Sequence, residues 1–131
     1  MDRTFLLLAA VFGFLGVAIG AFGAHGLRSR LSPEMLSVFE IGVRYQMYHV
    51  FALLVVAGAI GHFGPARLLT LAGWAYVAGI VIFSGSLYAL ALTGTSALGA
   101  VTPIGGLAFL IGWACLALFA AALLPVIPPG A

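Results

Sequence analysis

Polar residues interrupt this chain at only a few places, and between them run apolar stretches long enough to cross a bilayer. The first extends from Thr4 to Ala24, preceded by Asp2 and Arg3. A spanning helix needs about 20 residues, whereas the apolar region of a signal peptide has about 7–15. The stretch therefore reads as a retained span, although Ala21-Phe22-Gly23 loosely resembles a cleavage site. Gly13, Gly16, Gly20 and Gly23 fall in one stripe of a 3.6-residue helix. In lipid such a stripe serves close van der Waals packing, against either another helix of this chain or a second copy.

A polar connection follows around His25, Arg28 and Arg30, and Ser32-Pro33-Glu34 then has the chemistry of a helix start. Ser accepts from free backbone amides, Pro suits the first turn and Glu faces the positive end of the dipole. Residues 33–43 mix apolar positions with Ser37 and Glu40, while residues 50–60 are apolar or Gly. An unbroken helix over 33–61 is about 44 Å long, longer than the roughly 30 Å hydrocarbon core, so its first part is expected at the interface, bent near Gly42 or strongly tilted. Gly61-His62-Phe63-Gly64-Pro65 ends it. The third span is closed by Thr93-Gly94-Thr95, and the fourth starts at Thr102-Pro103, read as cap and first turn. Residues 96–101 read either as a loop or as an early helical turn.

The pattern predicts helices at about 4–24, 33–61, 65–92 and 103–124 in a single membrane domain spanning 1–131. The fold class is all-α: an integral membrane four-helix bundle with an interfacial amphipathic segment at the start of the second helix. Composition agrees, with 64% hydrophobic and 6% charged residues against a soluble average of about half and about a quarter. From Leu68 onward there is no Asp, Glu, Lys, Arg or His, so acid–base or ion-pair chemistry must come from the first half. Five arginines without a lysine are too few and dispersed for a nucleic-acid surface. Arg28, Arg30 and Arg44 against Arg3 and Arg67 lean weakly towards a cytoplasmic first connection. The lone Cys115 permits no internal disulfide and reads as an apolar filler.

The densest polar cluster comprises Glu40, Arg44, Tyr45, Gln46, Tyr48 and His49. Glu40 and Arg44 are four apart in the favourable orientation for an ion pair, with Tyr48 on the same face, while His49 lies on roughly the opposite side. A metal site needs about three or four converging ligands, and His25, His49 and Glu40 converge only if the first connection folds back. Neither a metal, a cofactor nor a catalytic residue is expected. Ser84 and Ser86 lack an acid–base partner in their half of the chain and are expected to hydrogen-bond a preceding turn or a neighbouring helix.

Four segments carry a resemblance: 20–27 (GAFGAHGL), 45–49 (YQMYH), 83–88 (FSGSLY) and 102–106 (TPIGG). In this order they resemble the small membrane-protein family of unknown function that includes bacterial YgdD and YwdK and is related to eukaryotic transmembrane protein 256. The resemblance implies a four-helix protein of the bacterial inner membrane and singles out His25, Gln46, Tyr48, His49, Ser84, Ser86, Tyr88, Thr102 and Pro103. The expectation is non-enzymatic binding of a lipid, small amphiphile or protein partner at the polar end around His25 and His49. The alternative is a small oligomeric transporter or channel with His49 or Glu40 in its path. Expected partners are membrane lipids, a second copy or another membrane protein, and not nucleic acid.

Overall fold

A computed structural model describes residues 2–125 and 128–130. Four helices are long and apolar enough to cross a membrane. Helix α1 covers Asp2–Gly26 and α2 covers Pro33–Phe63. The third span contains α3 (Arg67–Gly79), a π-helical turn at Ile80–Ser84 and α4 (Gly85–Thr93). A 3₁₀ turn at Ser96–Ala100 leads through Val101 into α5, Thr102–Ala122. The tail positions Val126, Ile127 and Ala131 lie outside the described residues.

Local chemistry explains the boundaries. Ser32 Oγ accepts the Met35 amide at 3.2 Å and Pro33 occupies the first turn of α2. Thirty-one residues make α2 about 45 Å long, continuous through Gly42. Along its first turns Phe39 and Gly42 are buried, while Glu34, Ser37, Glu40 and Arg44 are exposed, so the amphipathic start belongs to one helix. Gly94 ends the third span in the left-handed region at φ 69°, its amide bonding Leu90 O at 2.8 Å. That conformation favours glycine. Residues 96–101 form a helical turn rather than a loop, and this changes the role expected of Thr102: because the chain enters α5 already helical, Thr102 does not cap it.

The glycine stripe of α1 packs against α2 of the same chain. A Cβ on Gly16 would lie 2.5 Å from Met47 Sδ, one on Gly20 3.1 Å from Val43, one on Gly23 2.5 Å from a Phe39 ring carbon and one on Gly13 3.4 Å from Val50. On the other side α3 and α5 interlock reciprocally, Phe109 of α5 lying over Gly79 and Tyr76 of α3 over Gly112. Helix α2 and the third span thus form the centre. Helices α1 and α5 flank them and keep wide apolar faces outward, including Leu7, Phe14 and Val17 on α1 and Ile104, Leu107 and Leu110 on α5. The core of Phe5, Leu53, Val56, Leu69, Tyr76 and Phe109 joins all four spans.

Candidate functional site

The interior polar groups form paired cross-links between spans. Gln46 Nε2 donates to Phe12 O on α1 at 2.8 Å, and its Oε1 accepts from the Tyr88 hydroxyl on α4 at 2.6 Å. One buried amide therefore ties α1, α2 and α4 together. Ser84 Oγ, in the π turn, donates to Gly42 O on α2 at 2.6 Å. Ser86 bonds Phe83 O at 2.9 Å and Thr102 Oγ1 at 2.6 Å, and Thr102 also reaches Leu98 O at 3.4 Å. Thus Thr102 is a cross-link to α4, while Pro103 stands exposed in the first turn of α5.

His49 is buried at 4% exposure in an aromatic setting. Its ring stacks on Phe109 with centroids 3.5 Å apart and meets Tyr76 and Trp113 at 5.5 and 5.9 Å. The indole of Trp113 donates to Nε2 at 3.0 Å, while Nδ1 lies 2.7 Å from Tyr45 O. An indole only donates and a carbonyl only accepts, so these partners assign the neutral tautomer with hydrogen on Nδ1. Both ring nitrogens are occupied. Trp113 and Phe109 escaped the sequence reading because no polar motif marks them; the available signal was that a bundled indole needs an acceptor and its own half of the chain offers no charged one.

The expected polar end around His25 and His49 is not one site. Gly13 faces Val50, so His49 lies near the level of Gly13, and His25 is twelve residues farther along α1, about 18 Å. His25 is exposed at the end of α1 and Glu40 is exposed on α2, so His25, His49 and Glu40 do not converge. The Glu40–Arg44 ion pair is also not formed among the described residues. Tyr48 is exposed too and meets Tyr45 edge-on at 5.7 Å rather than serving the pair.

Glu40 and Arg44 instead line a cavity of about 230 Å³ between the end of α1 and the start of α2, completed by Gly20, Gly23, Ala24, Phe39 and Val43. Its depth follows from the register. Gly23 meets Phe39 and Gly20 meets Val43, and the apolar stretch of α1 ends at Ala24. Glu40 therefore stands at the apolar boundary and Arg44 one turn inside it, about 6 Å deeper. A second cavity of about 220 Å³, lined by Asp2, Arg3, Leu6, Leu54, Ala57 and Gly58, lies at the opposite end. Its carboxylate is engaged, Asp2 Oδ1 accepting the Arg3 amide at 2.8 Å.

Four apolar spans, cross-linked inside by neutral hydrogen bonds and apolar outside, define a small multi-pass membrane protein. Residues 19–106 match the family described as "Protein of unknown function (DUF423)". The chain belongs to that family. It is 48% identical over 111 residues to the UPF0382 membrane protein YwdK of Bacillus subtilis, covering 85% of this chain and 90% of that one. A UPF0382 membrane protein of Staphylococcus epidermidis is 49% identical over 112 residues (85% and 89% covered) and one of Haemophilus influenzae 44% over 117 residues (89% and 93%). No solved structure matches the chain.

Proposed function

We propose that this protein is a non-enzymatic component of the bacterial inner (plasma) membrane that holds the head of a lipid or small amphiphile in the groove between α1 and α2. The observation that carries the reading is Arg44: an exposed arginine whose backbone lies one helical turn inside the apolar boundary, with no ion pair among the described residues and a cavity beside it. A charged side chain at that depth needs a counter-charge or a path to water, and an arginine fork fits phosphate or carboxylate in two parallel hydrogen bonds. Gly20, Gly23 and Ala24 form the α1 side of the groove. The interior polar groups bond backbone carbonyls and one another across the spans, which supports a scaffold role for them. Relatives in Bacillus and Staphylococcus are called membrane proteins, and the all-helical spans suit the plasma membrane.

Native mass spectrometry of the protein extracted in a mild detergent tests this reading. A reproducible adduct with the mass of an amphiphile should be retained, and Arg44→Gln should lose most of it while keeping its thermal unfolding midpoint. Protein that stays bare in several detergents and after incubation with phospholipid overturns the proposal.

A further inference from the structure

Glu40 and Arg44 sit on one exposed face of α2, line the same cavity and do not pair with each other. Their order matters, because the Glu40 backbone lies at the level of the apolar boundary and that of Arg44 about 6 Å deeper, one turn along the helix. A ligand satisfying both needs an anion on its inner side and a cation on its outer side, linked over a short distance. Among membrane amphiphiles this is the arrangement of a zwitterionic phospholipid head, whose phosphate adjoins the glycerol and whose amine reaches towards water. A free phosphate supplies only the inner partner. An anionic lipid head brings negative charge towards Glu40.

Resting on the lipid-head reading above, we infer that the groove selects a phospholipid with a primary ammonium, of the phosphoethanolamine class, binding phosphate at Arg44 and ammonium at Glu40. The primary ammonium has three N–H donors for a carboxylate, whereas a trimethylammonium has none. Gly20, Gly23 and Ala24 line the α1 side of the groove, and Val43 offers apolar contact to the glycerol region. The chains then run along the outward apolar residues of α1, among them Val17 and Phe14. A hydrogen bond to a charged group is stronger than one between neutral groups, so the preference over the trimethylated head is about tenfold or more.

The full-length protein, stripped of lipid in detergent, is mixed with equimolar phosphatidylethanolamine, phosphatidylcholine and phosphatidylglycerol of identical chains, and the adducts are counted by native mass spectrometry. The ethanolamine lipid should dominate about tenfold or more. Glu40→Gln should remove that preference but still bind phospholipid, and Arg44→Gln should lose all three. Equal retention of the three lipids, or a preference that survives Glu40→Gln, overturns the ammonium assignment and leaves the lipid groove standing. Absence of any lipid adduct overturns both. Glu40 and Arg44 are exposed, so neither substitution removes a core contact.

Discussion

Trp113 holds His49 across 64 positions of sequence, its indole N–H 3.0 Å from the ring nitrogen that the Tyr45 carbonyl leaves free to accept. Removing either partner leaves the other without its hydrogen bond, His49 in the buried core and Trp113 on the half-exposed face of α5. His49→Ala should lower stability by about 2–4 kcal/mol, combining an unpaired indole with a cavity beside Phe109. Trp113→Phe keeps the ring packing and should cost about 1–2 kcal/mol. The double variant should cost less than the sum. Denaturant unfolding in detergent micelles measures all three, and strict additivity would show that the hydrogen bond carries no coupling.

Gln46 should behave as a bridge rather than as a ligand. Gln46→Leu leaves the Tyr88 hydroxyl without its acceptor and should destabilise by about 1–3 kcal/mol. Adding Tyr88→Phe removes the stranded hydroxyl and should restore part of that loss. The same unfolding assay reads the recovery, and a further loss in the double variant would contradict the bridge.

Two glycines offer opposite outcomes for one chemical change. A Cβ on Gly105 would meet the backbone of Phe83, which cannot move aside as a flexible side chain can. Gly105→Ala should therefore cost about 1–3 kcal/mol or more by forcing α5 from the third span. Gly58 is exposed, with nothing within 4 Å of its Cβ position. Gly58→Ala should leave stability unchanged or raise it by up to about 1 kcal/mol. Equal thermal shifts in the two variants would refute the close approach of α5 and the third span.

Tyr76 is fully buried, and its hydroxyl has no hydrogen-bond partner among the described residues. Its ring fills the space over Gly112, a task that phenylalanine performs equally well. Tyr76→Phe should therefore raise stability by about 1 kcal/mol, whereas Tyr76→Ala should cost about 3–5 kcal/mol. A destabilised Tyr76→Phe protein, measured by thermal unfolding in detergent, would reveal a partner such as an internal water.

Spans and caps were legible because hydropathy and capping act locally. Ser32-Pro33 started α2 as its chemistry dictates, and the glycine stripe of α1 announced a contact face. Its partner was not legible, because a period of small residues says that something approaches closely and not what. The same limit hid the acceptors of Gln46 and Ser84, both backbone carbonyls, which no side-chain motif identifies. Thr-Pro has the local meaning of a cap and first turn; the 3₁₀ turn before it, held by bonds such as Val101 N to Leu98 O at 3.1 Å, overrides that local signal at Thr102. At the candidate groove, residue types and helix spacing placed Glu40 and Arg44 on one face. That the two do not pair is a property of the folded chain, which periodicity within α2 does not contain.

The π turn at Ile80–Ser84 has no signature in composition, yet the partners of the third span change across it. Before the turn α3 packs chiefly against α5, and after it α4 packs chiefly against α2. The Gly85 amide reaches back five residues to Ile80 O, so one surplus residue rotates everything downstream relative to everything upstream. A single continuous rod thereby presents two differently aimed faces, and Ser84, Ser86 and Tyr88 owe their partners to that offset. Insertions and deletions in this stretch are therefore matters of phase rather than of length: one residue removed re-aims half a span and separates three hydroxyls from their partners on other spans at once.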